Sequence, residues 1–281
     1  MLYGFGNGAA YVTFRAVADS LFLSHIGTSR LPLMYMISAS AVILASGIHA
    51  RAARMFRLHD VVFAGLAALA IASFTLPKLS LLWPNSLVVF GIIYVASEIR
   101  GALGTIHFAT LINESFEDDE PHAFVGWIGL GTTLSAMCMG LVIALLVDWV
   151  QSENLLYLAA VLDVATMAMV VLARRGEKSH RRRTFYRQKS NRRGIKRMTT
   201  GMKRVARSHY VLGVVGLVVL TVAVSTLVEF QWKVTAAGVL HRDEHDLTAY
   251  FGYYYAGLYL LTGLLQVFLT GRLLQRFGPI A

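Results

Sequence analysis

Residues 211–228 read VLGVVGLVVLTVAVSTLV, without a charged side chain, and the apolar run continues past Glu229 to about Ala237. A helix needs about 20 predominantly apolar residues to cross the hydrocarbon core of a bilayer, which is roughly 30 Å thick. Strands of membrane β-barrels instead alternate apolar and polar residues over about 10 positions, and residues 211–228 do not alternate. The stretch therefore predicts a transmembrane α-helix.

The composition of the whole chain points to the same class of protein. Of its 281 residues, 56% are hydrophobic and only 15% are charged, and the mean hydropathy is +0.57. Soluble domains average about 45–50% apolar and about 25% charged residues. Intrinsic disorder is excluded because it requires low hydrophobicity, and the single cysteine, Cys138, excludes a disulfide scaffold. The chain is expected to be a polytopic membrane protein.

Apolar stretches of this kind recur along the chain and predict an all-α transmembrane helical bundle of about eight spans. The first of them is interrupted by Arg15 and Asp19. The predicted spans cover residues 4–22, 31–50, 61–77, 79–112, 121–147, 154–173, 208–237 and 247–271.

The distribution of basic residues predicts the orientation. Of the 26 Lys and Arg residues, 15 lie between Arg174 and Arg207. Cytoplasmic loops carry an excess of Lys and Arg. With the N-terminus inside, the connections rich in Arg and Lys face inward. We therefore expect a multi-pass protein of a bacterial cytoplasmic membrane, with its N-terminus and the basic segment in the cytoplasm.

The basic segment also predicts the domain organisation: a six-helix bundle over residues 1–173, a cytoplasmic linker over 174–208 and the first two helices of a second bundle over 209–281. The turns at 47–54 and 271–278 both place a glycine before arginines, as in two related halves. On this plan the second bundle continues beyond Ala281. The linker is expected to contact anionic lipid and, having few aromatic residues, no nucleic acid.

Seven ionisable residues fall at membrane depth, where each costs about 2.5–3.5 kcal/mol near the centre of a helix. Two pairs, Arg15 with Asp19 and Glu229 with Lys233, have the four-residue spacing that allows an ion pair along one helix face. Glu98 and Arg100 are two residues apart, so each needs a partner on another helix. The seventh, Asp163, has no such neighbour on its own helix.

These charges have two interpretations: they pin helices together, or they bind a substrate or coupling ion. We favour the second and expect a site formed by Arg15, Asp19, Glu98, Arg100, Glu229 and Lys233. Tyr255 and Tyr259 share a deep face of the last span, where packing is the favoured interpretation. Residues 241–246 (HRDEHD) are interpreted as a solvated loop. Neither a metal site nor a cofactor is predicted, and no enzyme motif occurs.

Several motifs resemble a known family. The two-bundle plan and the turn Gly271-x-Leu-x-x-Arg-x-Gly278 are similar to the major facilitator superfamily. More specifically, residues 15–21 (RAVADSL), 96–101 (ASEIRG) and 228–233 (VEFQWK) resemble segments of the ATP/ADP translocase family of nucleotide antiporters. That family has Ala-Glu-Leu-Trp-Gly-Ser at the second segment and Val-Glu-x-x-Trp-Lys at the third. It differs by a lysine at the position of Ala18 and a tryptophan at that of Arg100.

The resemblance implies a secondary active transporter that works by alternating access around a midplane site. It further implies exchange of nucleotides or another organic anion, with a small-molecule substrate as the partner and the counterparts of Glu98 and Glu229 taking part. Two alternatives stay open: a proton-coupled carrier of an unrelated small molecule, and the membrane anchor of a sensor or regulatory protein.

Overall fold

The computed structural model describes residues 2–84, 86–115, 123–176 and 209–270. These residues form eight long α-helices and no strand, which confirms the predicted all-α bundle. The helices are α1 (Leu2–His25), α2 (Leu31–Met55), α3 (Leu58–Leu82), α4 (Leu87–Ser115), α5 (Ala123–Leu146), α6 (Leu155–Gly176), α7 (His209–Val239) and α8 (Glu244–Leu265), the last followed by a π-helical turn (Gln266–Thr270).

Six of these helices, α2 to α7, are long and apolar enough to cross a membrane. The other two, α1 and α8, have 24 and 22 residues but more polar sequences. At 1.5 Å per residue, helices of this length still measure about 33–36 Å. The lower hydropathy of α1 has a physical reason, because its residues 12–23 are all buried inside the protein and are not exposed to lipid.

The predicted break between the third and fourth spans, at residue 78, is wrong. The α3 helix continues through Pro77 to Leu82, and Lys78 lies inside it with its ammonium 4.1 Å from the centre of the Phe74 ring. The helix ends at Leu82, just before a second proline, Pro84. Trp83 precedes Pro84, and the residue before a proline is disfavoured in the helical conformation.

The backbone divides into two compact units, one of residues Met1–Val170 with Ala236–Ala281 and the other of Val171–Thr235. In the first unit, α1 packs against α4, α5 and α8, while α5 also packs against α8 and α2 against α4. In the second unit, the described residues are the end of α6 and most of α7.

The contact between α5 and α8 is made by small residues. A Cβ atom added to Gly140 would lie 2.7 Å from the carbonyl oxygen of Gly252, and one added to Gly252 would lie 2.8 Å from that of Gly140. Ala144 and Ala256 follow these glycines by four residues and flank the same contact. Small residues at this spacing allow helix backbones to approach closely. This contact fixes the position of α8 beside α1.

Candidate functional site

The candidate site is built around Arg15 in the middle of α1. Its Nε lies 3.2 Å from a carboxylate oxygen of Asp19, one helical turn later, and its Nη1 forms an ion pair with Glu98 of α4. Arg15 and Asp19 are buried, whereas 27% of the Glu98 side chain is exposed. We call these three residues together with Tyr255 the Arg15 network.

Tyr255 brings α8 into this network. Its hydroxyl donates a hydrogen bond to Asp19 at 2.7 Å and accepts one from Arg15 Nε at 3.3 Å. Tyr94 of α4 adds an aromatic face, with its ring centre 5.8 Å from the guanidinium carbon of Arg15. Three helices that are far apart in the sequence therefore meet at one guanidinium.

In the Arg15 network, one guanidinium faces two carboxylates. The more exposed carboxylate belongs to Glu98. Chemically, this carboxylate can take up a proton or a cation, and an Arg15 released by Glu98 can bind an anion.

A second buried arginine lies two residues after Glu98. Arg100 donates two parallel hydrogen bonds to Asp163 of α6, at 2.8 and 2.6 Å, and one to Ser73 of α3 at 2.5 Å. Only 1% of the Arg100 side chain and 2% of Asp163 are exposed. The ring of Phe14, the residue before Arg15, lies 4.9 Å from the guanidinium carbon of Arg100. We call Arg100, Asp163 and Ser73 the Arg100 clamp.

The fold and these buried charges can be set beside known families. The family model described as Major Facilitator Superfamily matches residues 1–281. The chain belongs to the major facilitator superfamily. No curated protein and no solved structure matches it.

Membership of the major facilitator superfamily makes the chain a multi-pass integral membrane protein and a membrane transporter. Members of this superfamily bind small-molecule substrates and are transporters rather than enzymes, in agreement with the expectations from sequence. The eight long helices of the described residues, six of them apolar enough to cross a membrane, fit this membership.

The predicted site residues of the first unit fall into two groups. Arg15, Asp19 and Glu98 form one network, whereas Arg100 forms its ion pair with Asp163 in the clamp. Glu229 and Lys233 belong to the second unit, where they pair along α7 at 2.6 Å and Lys233 is buried. The spacing arguments hold for all of these residues, since both four-residue pairs form and both Glu98 and Arg100 find partners on other helices.

The sequence analysis does not predict two residues that take part in these contacts, Tyr255 and Ser73. It interprets Tyr255 as a packing residue, but the Tyr255 hydroxyl lies in the Arg15 network. The contact of Ser73 with Arg100 could not be predicted, because a single serine in an apolar helix does not indicate which residues pack against it. The one indication for Tyr255 was that it lies on the deep face of the last span, together with Tyr259.

The interpretation of residues 241–246 as a loop is wrong at its end. Residues 244–246 form the first turn of α8, and the Asp243 side chain caps it by accepting a hydrogen bond from the Asp246 backbone at 3.0 Å. Asp243, His245 and Asp246 place one possible metal-ligating atom each within 4.8 Å of the others, and all three are exposed. His245 also lies 3.4 Å from Asp148.

Some predictions fall on residues that the structure does not describe. They are the basic segment from residue 177 to 208 and the superfamily turn at 271–278. The proposed lipid contact of the linker therefore lies outside the described residues.

Proposed function

We propose that this transporter is a secondary active carrier that works by alternating access. The observation that supports this proposal is the Arg15 network, in which a buried guanidinium pairs with one buried and one part-exposed carboxylate. In this proposal residues 1–173 form one bundle and 209–281 begin a second, joined by the cytoplasmic linker 174–208, which contacts anionic lipid of a bacterial inner membrane.

The energetic cost of the network supports a functional role. Each ionisable side chain at membrane depth costs about 2.5–3.5 kcal/mol, and such residues typically mark substrate or ion pathways. A purely structural pair would be expected to be closed to water on both sides. Glu98, by contrast, has 27% of its side chain exposed, so a substrate or ion can compete for it.

The first candidate substrate is a nucleotide or another organic anion, as the resemblance to the ATP/ADP translocases suggests. In this case Arg15 is the anion-binding group, and Glu98 must release it when the substrate enters. The bidentate geometry of a guanidinium suits phosphate and carboxylate groups.

The second candidate is a proton-coupled carrier of another small molecule, and the presence of two carboxylates at Arg15 favours it. A polyanion would meet both carboxylates, whereas protonation of Glu98 would remove one of these negative charges. In this case Glu98 carries the coupling proton.

The experiment uses the full chain in sealed liposomes. Uptake of labelled ADP against internal ATP tests nucleotide exchange, and a trapped pH-sensitive dye tests proton movement. The Glu98→Gln variant is compared with Asp148→Asn, which also removes one negative charge but lies on the exposed surface. We expect Glu98→Gln to lose at least tenfold in rate and Asp148→Asn to match the wild type.

The outcomes separate the candidates. ADP uptake that depends on internal ATP supports the first, and proton movement without nucleotide uptake supports the second. Finding neither activity in the wild type would contradict the nucleotide candidate, because a proton-coupled carrier moves protons only together with its own small-molecule substrate. An undiminished rate in Glu98→Gln would contradict the assignment of the site.

The Glu229–Lys233 pair lies in the second unit and is the subject of a separate proposal. We propose that this pair changes partner between the inward-open and outward-open states, because ionisable residues at membrane depth typically mark substrate or ion pathways. The test is Glu229→Gln in the same liposomes. A transport rate and a pH dependence equal to those of the wild type would refute it.

A further inference from the structure

We propose that Tyr255 is a positioning residue for the Arg15–Glu98 ion pair: its hydroxyl fixes the Nε edge of Arg15 against Asp19, so that the other edge reaches Glu98. This inference rests on the proposed function, because it takes the Arg15–Glu98 pair as the working part of the site. It assigns to α8 a role in setting that pair.

The position of the Tyr255 hydroxyl carries the argument. The hydroxyl accepts from Arg15 Nε at 3.3 Å and donates to the same Asp19 oxygen that lies 3.2 Å from Arg15 Nε. Arg15 Nε, the Asp19 oxygen and the Tyr255 oxygen therefore form a triangle of mutual contacts. A hydroxyl can donate and accept at once, so it satisfies both charged groups together.

This triangle has a geometric consequence for Glu98. A guanidinium is planar, and its N–H groups have a fixed fork geometry. Holding the Nε edge against Asp19 and Tyr255 therefore fixes the direction of the opposite edge, where Nη1 meets Glu98. Removing the Tyr255 hydroxyl takes away one of the contacts that hold the Nε edge, and the plane can then rotate away from Glu98.

Tyr255 also links this geometry to the position of a helix. Tyr255 lies on the face of α8 that meets α1, seven residues after Thr248, whose hydroxyl bonds to Ser20 of α1 at 2.6 Å. A displacement of α8 relative to α1 would therefore withdraw the hydroxyl from Arg15. The strength of the Arg15–Glu98 pair then depends on where α8 lies, as a carrier that alternates between states requires.

A thermal-unfolding cycle on the full chain in detergent tests this inference without any substrate. The four proteins are the wild type, Tyr255→Phe, Glu98→Gln and the double variant. Tyr255→Phe keeps the ring and removes only the hydroxyl, and we expect it to lower the Tm by about 2–4 °C. In the Glu98→Gln background the same change should lower the Tm by less than half as much.

The matched control is Tyr253→Phe, because 53% of Tyr253 is exposed. This change should leave the Tm unaltered in both backgrounds. Additive shifts for Tyr255→Phe and Glu98→Gln would overturn the inference, since independent sites add and coupled sites do not. Additive shifts would leave the proposed function standing, because that function is tested by transport in Glu98→Gln.

A third background tests whether the coupling runs through Arg15. Lysine has one ammonium group and no fork, so Arg15→Lys cannot hold Tyr255 and Glu98 on opposite edges. We expect the coupling between Tyr255→Phe and Glu98→Gln to vanish in Arg15→Lys. A coupling that persists there would mean that Tyr255 acts on Glu98 by another route, and would contradict the positioning role.

Discussion

The two buried arginines of the first unit use the same chemistry in different ways. Arg100 is matched by one carboxylate, Asp163, through two parallel hydrogen bonds, and the pair is almost fully closed to solvent. Arg15 is shared between Asp19 and Glu98, and Glu98 is part-exposed. The first arginine pairs with one buried carboxylate, and the second pairs with one buried and one part-exposed carboxylate.

The contrast indicates which buried arginine can change its partner during transport. Breaking a fully desolvated pair leaves an uncompensated charge in a dry interior, so the Arg100 clamp can hardly change partner during a transport cycle. In the Arg15 network, the Glu98 carboxylate is part-exposed, so a change of partner there is less costly than in the clamp. The position of a charge at membrane depth does not show whether it is structural or takes part in transport. The number of its partners and their exposure distinguish these two roles.

The largest expected effect comes from breaking the Arg100 clamp on one side. Asp163→Leu leaves Arg100 buried without its counter-ion, and we expect a loss of about 3–5 kcal/mol in the free energy of unfolding. Denaturant unfolding of the full chain in detergent measures it.

The control replaces both partners by apolar residues. Arg100→Met with Asp163→Leu removes both charges, and this double variant should recover to within about 1 kcal/mol of the wild type. A double variant as unstable as Asp163→Leu would contradict the account in which the unpaired charge of Arg100 causes the loss of stability.

A smaller effect should follow from pushing α8 away from α5. Gly252→Val places methyl groups against the backbone of Gly140 and Ala144, and overpacking of this kind costs about 1–3 kcal/mol. Because α8 carries Tyr255, the change should also weaken the Arg15 network while leaving the clamp intact.

Gly257→Ala is the matched control on the same helix, because a Cβ atom there meets nothing within 4 Å. Replacing a helical glycine by alanine in open space should stabilise the helix by about 0.5–1 kcal/mol. Unfolding midpoints of both variants test the contrast, and equal destabilisation by both would contradict the close α5–α8 contact.

Removing one hydrogen bond of the Arg100 clamp while keeping its ion pair should lower the free energy of unfolding moderately. Ser73→Ala removes the hydroxyl that accepts from Arg100 at 2.5 Å but leaves the Asp163 pair in place. A hydrogen bond to a charged group contributes about 1.5–3 kcal/mol, and we expect the lower end of that range because Leu69 O also lies near Arg100 at 3.4 Å. A loss as large as that of Asp163→Leu would assign Ser73 a greater part in the clamp.

The smallest effect on stability should come from Glu98→Gln. The Glu98 side chain is part-exposed, and Asp19 still pairs with Arg15 in this variant. The unfolding midpoint should therefore stay close to that of the wild type. A loss comparable to that of Asp163→Leu would place Glu98 in a structural role.

Much of this comparison could be predicted from the sequence. The long apolar runs predict the helices, and the four-residue spacing predicts both the Arg15–Asp19 and the Glu229–Lys233 pairs, because contacts along one helix depend only on helix geometry. The two-residue spacing of Glu98 and Arg100 correctly predicts that they face different helices.

The identity of the partners could not be predicted. Arg100 meets Asp163, which is 63 residues away, and Arg15 meets Tyr255, which is 240 residues away. Such contacts depend on how helices pack and rotate, and a single sequence carries little information about this. The same limitation caused Tyr255 to be interpreted as a packing residue and Asp163 to be left without a partner.

The most direct test of the account compares turnover per folded molecule in Glu98→Gln and Ser73→Ala. Both variants are reconstituted at matched amounts of folded protein and assayed with whichever probe the wild type carries, labelled ADP or protons. The account predicts that Glu98→Gln loses at least tenfold in rate while Ser73→Ala keeps the wild-type rate. Equal losses in both variants, or an unchanged rate in Glu98→Gln, would contradict the division between a working network and a structural clamp.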